Sequence, residues 1–70
     1  QTVTVEGSTF DVRQKDGRAE LIRTNPEAVF SLRAIIPRAG RAVKKVTGCT
    51  PVDGTWSGDQ AMMQVDIDCG

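Results

Sequence analysis

The stretch TFDVRQKDGRAELIRT, residues 9–24, decides the fold of the chain. Apolar and polar residues alternate on both sides of Asp16-Gly17, and these two residue types tolerate the positive φ angles of a two-residue type I′ turn. With this dipeptide as the loop, Val12 faces Leu21 across the hairpin, and the opposite face gains a pair of opposite charge. The stretch therefore predicts an antiparallel hairpin with one apolar face.

The segments on either side of this hairpin carry different periodicities. Residues 2–5, TVTV, alternate and are followed by a turn at Glu6-Gly7-Ser8, so an additional strand precedes the hairpin. Residues 24–27, TNPE, are typical of a helix start, with Asn as N-cap and Pro at the first helical position.

A helical period follows and continues to Val46, and Gly48 is placed to end the helix as its C′ residue. Pro37 interrupts this period, because a proline inside a helix costs about 3 kcal/mol. We therefore expect the principal helix at 37–47, with 26–35 as a shorter helical piece or an irregular approach to it. A single kinked helix over 26–47 is the alternative.

The last third of the chain contains both cysteines, Cys49 and Cys69. The residues between them read as a hairpin with its turn near Ser57–Asp59, and folding at this turn brings the cysteines together. We therefore predict a Cys49–Cys69 disulfide, with two buried free thiols as the alternative. Such a bridge would stabilise the domain by about 3 kcal/mol and favours a periplasmic or secreted location.

The final strand is predicted from the alternation of residues 61–69. Its polar positions, including Asp66 and Asp68, are expected to keep an outer face or edge soluble, while Met62 is placed to cover a second apolar surface or a partner. Direct pairing of the two cysteines would place Trp56 on the wrong face, so we expect a bulge near residues 51–54.

Together these elements predict a single small α+β domain over residues 1–70. A small antiparallel β-sheet of two hairpin regions packs against one main helix, with one disulfide. A core of this size rarely contributes more than about 3–5 kcal/mol to the free energy of unfolding, so a disulfide would be a large part of the stability. No apolar run in the sequence reaches the length of a transmembrane segment.

Composition excludes several functions. Nine basic and nine acidic residues cancel, and no aromatic residues are interleaved with the cations, so we do not expect nucleic acid as a partner. The sequence contains no histidine and no tyrosine, and the cysteines are assigned to the disulfide. We therefore predict no catalytic residue, no cofactor and no enzymatic activity.

The candidate partner contacts are Arg38, Arg41, Lys45 and Trp56. The three cations recur at i, i+3 and i+7 on one helix face, which is either an anion-binding stripe or a solvated face. Trp56 either caps the end of the core or stands exposed as a binding anchor.

A calcium site is a further possibility in the loop at residues 53–59. Asp53, Thr55, Ser57 and Asp59 place oxygen side chains at alternate positions, which resembles the first half of an EF-hand loop. The twelfth position, however, is Gln64 instead of the bidentate glutamate. Hairpin loops use the same residue types for conformational reasons alone, so the sequence predicts no metal site there.

The segment PRAGRAVKKVTGC, residues 37–49, is followed by a β region that ends in Cys69. In this part the chain resembles small secreted, periplasmic or lipoprotein-type domains of Gram-negative bacteria. The resemblance implies an envelope or extracellular location and the disulfide, and it transfers no functional residue.

The sequence thus predicts a non-catalytic cell-envelope or secreted module that binds an unknown protein or an acidic envelope ligand. One alternative is a purely structural accessory domain of a larger envelope protein. Another is a small inhibitor of an extracellular enzyme, which would present Ser57–Asp59 and Trp56.

Overall fold

The computed structural model describes residues 1–24, 32–59 and 61–70, and within these ranges it contains six strands and one helix. The helix start predicted at residues 24–27 falls almost entirely outside the described residues. In chain order the elements are β1 (Thr2–Val5), β2 (Ser8–Lys15), β3 (Arg18–Arg23), α1 (Leu32–Thr47), β4 (Thr50–Pro51), β5 (Ser57–Gly58) and β6 (Met62–Asp68).

The first three strands form an antiparallel meander joined by two tight turns. Residues 6–7 and 16–17 connect the strands, and all four of these residues have positive φ, as type I′ turns require. The predicted register of the central hairpin is confirmed, since Val12 pairs with Leu21 and Arg13 with Glu20.

The last strand, β6, joins the N-terminal meander to the rest of the sheet. Strand β3 pairs with one edge of β6, and β4 and β5 pair with the other, so the strand order is β1-β2-β3-β6-β4 with β5 also on β6. The chain advances from Pro51 to Ser57 while β6 advances only from Ile67 to Gln64. The predicted bulge is therefore confirmed as an insertion between β4 and β5.

The predicted fold class, α+β with two hairpin regions, is wrong. The chain is mostly antiparallel sheet with one short helix, and the sheet is a single surface curled into a half-barrel. The sequence predicted one small sheet, but the pairing of β3 with β6 and of two further short strands with the other edge of β6 extends this sheet to six strands, so that it dominates the chain. Residues 50–58 add two short strands because the insertion between them restores their pairing with β6.

The helix does not begin at Pro37, as the sequence predicted, because α1 runs through this residue from Leu32 to Thr47. Pro37 itself is exposed, whereas Ile35, two residues before it, is fully buried. Burial of such a side chain contributes about 1.5–3 kcal/mol, which offsets the roughly 3 kcal/mol that an internal proline costs.

The end of the helix matches the prediction. Gly48 has a φ of 74°, and its N–H donates to the carbonyl of Lys44 at 3.0 Å, which satisfies one of the last helical carbonyls. Thr47 donates its hydroxyl to the carbonyl of Val43 at 2.7 Å and accepts a hydrogen bond from the N–H of Cys49 at 3.0 Å. This local network directs the chain from α1 into β4.

The hydrophobic core lies between α1 and one face of the sheet. The largest fully buried apolar side chains come from both layers: Phe10, Val12, Leu21, Ile35, Val43 and Val65. The opposite face of the sheet, called the outer face below, carries the alternate residues of β2, β3 and β6.

The predicted disulfide is present between Cys49 and Cys69, whose Cα atoms are 4.3 Å apart. It joins the start of β4 to the end of β6, next to the paired residues Thr50 and Asp68. Among the described residues, no helix combines the length and the apolar character needed to cross a membrane.

Candidate binding surface

The candidate arginines of α1 both face Glu6, which lies in the turn between β1 and β2. Oε2 of Glu6 lies 2.7 Å from Nη2 of Arg41 and 3.8 Å from Nε of Arg38. Arg38 also donates from Nη1 to the hydroxyl of Ser8 at 3.0 Å, and Ser8 is fully buried. Arg38 therefore stabilises the packing of the β1–β2 hairpin against α1.

The cations nearer the end of α1 are more available. Arg41 keeps a half-exposed side chain, and Lys44 and Lys45 are exposed. These three residues line a shallow groove of about 260 Å³, and we call this surface the cationic end of α1. Over residues 1–24, 32–59 and 61–70, no carboxylate forms an ion pair with either lysine.

Sequence reasoning included Arg41 and Lys45 in this surface but missed Lys44. The signal was present, because positions i and i+3 of a helix are neighbours and Lys44 follows Arg41 by three. No local signal pointed to Glu6, because its contact with the helix is made across a long sequence separation.

Trp56 is half-buried and packs against the cluster of core side chains. Its Cζ2 atom is 3.9 Å from the position that a Cβ at Gly40 would occupy. A small apolar cleft of about 60 Å³ lies beside it, lined by Ile36, Ser57, Gly58 and Met63. The tryptophan thus covers the space that the helical glycine leaves open.

Two of the four candidate calcium ligands make hydrogen bonds that shape the β4–β6 region. The hydroxyl of Thr55 donates to the carbonyl of Val52 at 2.7 Å and accepts from the N–H of Asp66 at 3.0 Å. In the parts of the chain that the structure describes, no three histidine, cysteine or acidic side chains are grouped to hold a metal ion.

Asp59 stabilises the turn into β6. One carboxylate oxygen accepts hydrogen bonds from the N–H groups of Met62 at 2.9 Å and Ala61 at 2.8 Å. Both bonds stabilise the charged carboxylate and lower the pKa of Asp59 below its ordinary value of 3.8, and the bond from Met62 has the larger effect. The turn was predicted near Ser57–Asp59; Ser57 and Gly58 instead form β5, and the turn follows them.

Comparisons with protein-family models, with curated proteins and with solved structures find no match to this chain. The candidate surface is therefore interpreted from its own chemistry.

Proposed function

We propose that the chain is a non-catalytic binding module of the cell envelope or the cell exterior. Its contact surface is the cationic end of α1, and its partner is acidic, either a protein patch or an anionic envelope ligand. The Cys49–Cys69 disulfide supports this location, because disulfides persist in oxidising compartments, and the resemblance to secreted and periplasmic domains is a second argument for it.

The observation that carries this proposal is that the arginines of α1 are paired with a carboxylate, whereas the lysines that follow them are not. Glu6 accepts both Arg38 and Arg41, whereas Lys44 and Lys45 face solvent with no carboxylate among the described residues against them. The exposed lysines create a local positive potential on a chain whose net charge is zero.

The inhibitor alternative is less well supported. An inhibitory loop has to be free to enter a partner's cleft, but Ser57 and Gly58 pair with Gln64 and Met63 in the sheet. Trp56, the expected anchor, packs against the core. The purely structural alternative makes a different prediction, which is that changing the lysines affects no interaction.

The test compares two variants with the same change in net charge. A fluorescently labelled oligoglutamate serves as the acidic probe, and its anisotropy is measured with micromolar protein. Lys45→Glu is expected to weaken binding several-fold, whereas Lys15→Glu, an exposed lysine of β2, is expected to leave it unchanged. Added salt should weaken binding by the wild type, because exposed charges are screened over about 10 Å at moderate ionic strength.

Equal losses in the two variants would contradict the proposal, because they would show a response to net charge alone. Absence of probe binding by the wild type at low salt would contradict it as well. Thermal unfolding of both variants checks that the fold is retained.

A further inference from the structure

The Cys49–Cys69 disulfide has one buried end and one exposed end. Only 4% of Cys49 is exposed, whereas Cys69 lies at the surface as an exposed residue. The two cysteines extend the pairing of β4 with β6 by one position beyond Thr50 and Asp68. A reagent in solution therefore reaches the bridge from the side of Cys69.

The surroundings of Cys69 leave it accessible in the folded protein. Cys69 follows the last residue of β6, Asp68. Nε2 of Gln14 lies 3.8 Å from Sγ of Cys69, and this contact is at the exposed surface. Because thiol–disulfide exchange depends on access and on which of the two sulfurs is attacked, Cys69 is the sulfur that an external thiolate meets first.

Cys49 is held in place by contacts that do not involve the bridge. Its N–H donates to the hydroxyl of Thr47 at 3.0 Å, and this hydroxyl in turn donates to the carbonyl of Val43 in α1. Sγ of Cys49 lies 3.5 Å from the carbonyl oxygen of Thr47, which is an acceptor for a thiol at this position. Cys49 thus stays next to β6 when the bridge opens, and it is positioned to close the bridge again.

We propose that Cys69 is a site of reversible modification by thiol–disulfide exchange with an external thiolate. The thiolate attacks Sγ of Cys69, a new S–S bond forms, and the bond between Cys69 and Cys49 breaks. The electron pair of the broken bond stays on Sγ of Cys49, which takes a proton from water and becomes a thiol. In the reverse step, Cys49 loses this proton to water, attacks Cys69 and releases the external thiolate. The exchange consumes no other oxidant or reductant.

The position of attack is tested with sulfite on the folded wild-type protein. Sulfite opens a disulfide in the same way, because it forms an S-sulfonate on the sulfur that it attacks and releases the other sulfur as a thiol. After an acid quench, tandem mass spectrometry locates the S-sulfonate. We expect Cys69 to carry it at least about tenfold more often than Cys49, because access selects the sulfur. The same reaction in concentrated urea is the control, and there the preference should largely disappear.

A second measurement asks whether the bridge opens without unfolding of the chain. The rate of opening by dithiothreitol is followed at urea concentrations below the unfolding transition. Attack on the folded protein predicts a rate that changes little with urea, whereas opening through the unfolded state predicts a rise of about several-fold for each molar of urea. Such a rise would overturn the proposal, and so would equal labelling of the two cysteines in the folded protein.

Two sources of the thiolate are separated by comparing reduced glutathione with reduced thioredoxin at equal thiolate concentration. Glutathione represents a small thiol, and thioredoxin represents the cysteine of an oxidoreductase. The reagent that opens the bridge of the folded protein faster identifies the source, and opening by either one supports the proposal. A folded protein whose bridge resists both reagents overturns it.

Discussion

Glu6 and Arg41 form an ion pair of 2.7 Å between Oε2 and Nη2 that connects the β1–β2 turn to the helix. Glu6 occupies a turn position with a φ of 50°, so the turn geometry directs its side chain toward α1. The same carboxylate reaches Arg38 at 3.8 Å. One acidic residue therefore neutralises part of the helix face and leaves the positive potential to the cationic end of α1.

Glu6→Gln is expected to raise the affinity for the oligoglutamate probe a few-fold, because it removes the negative charge next to Arg41. The free energy of unfolding should fall by only about 0.2–1 kcal/mol, the range for exposed ion pairs. Anisotropy titration and urea unfolding measure the two effects. Glu20→Gln, which changes an exposed carboxylate on the outer face, is the control, and an equal gain in that variant would contradict the local role of Glu6.

Gly58→Ala is expected to destabilise the protein strongly. Gly58 has a φ of 100°, and a Cβ there would overlap the carbonyl oxygen of Met62, which accepts the N–H of Asp59 at 2.8 Å. Backbone strain alone costs about 1–3 kcal/mol. Gly54→Ala is the matched control, because Gly54 has a φ of 82° but its Cβ would meet open space. Urea unfolding should show a larger loss for Gly58→Ala, and equal losses would refute the overlap.

Gly40→Ala is expected to stabilise the protein by about 0.5–1 kcal/mol, the difference between glycine and alanine inside a helix. The new Cβ would lie 3.8 Å from Cγ of Pro51 and 3.9 Å from Cζ2 of Trp56, which are ordinary contact distances. Thermal unfolding measures the change, and tryptophan emission reports on the packing of Trp56. A lower melting temperature would contradict this prediction, because it would mean that α1 and Trp56 pack too closely to accommodate the new Cβ.

The stability of the protein is expected to depend on pH through Asp59. Its pKa is lowered in the folded state by hydrogen bonds from Met62 and Ala61. Its contribution to folding is therefore fully present above the ordinary value of 3.8, and it is lost as the pH falls through the lower folded-state pKa.

Asp59→Asn should reduce stability at neutral pH and have little effect at strongly acidic pH, as measured by urea unfolding at both. The control is Asp53→Asn, since Asp53 is exposed and, among the residues that the structure describes, its side chain makes no hydrogen bond to the turn. A penalty for Asp59→Asn that is the same at both pH values would rule out the charged form as the cause.

The parts of the fold that depend on local chemistry could be predicted from the sequence. Asp16-Gly17 fixed the hairpin register through turn geometry and alternation, and Gly48 ended the helix because it adopts positive φ. The disulfide could be predicted because the two cysteines flank one hairpin. The fold class could not, because the six-stranded sheet that dominates the chain depends on the pairing of β3 with β6, which are far apart in the sequence. The prediction that the helix begins at Pro37 was wrong because burial of Ile35 offsets much of the local cost of the proline.

The candidate surface was predicted only in part, because it too depends on contacts between residues that are distant in the sequence. Arg41 and Lys45 could be recognised from helical spacing, but the turn residue Glu6 decides which cations remain available. Its contact with α1 depends on how the first hairpin packs. The exposure of Ile22 likewise depends on its position on the outer face.

The proposed location depends on the disulfide between Cys49 and Cys69, which also joins the start of β4 to the end of β6. It is tested most directly by intact mass after alkylation of the folded protein, before and after reduction. With the bridge in place, we expect no alkylation before reduction, two alkylated cysteines after it, and a loss of about 3 kcal/mol in unfolding free energy on reduction. Alkylation of both thiols in the folded protein without reductant would contradict it.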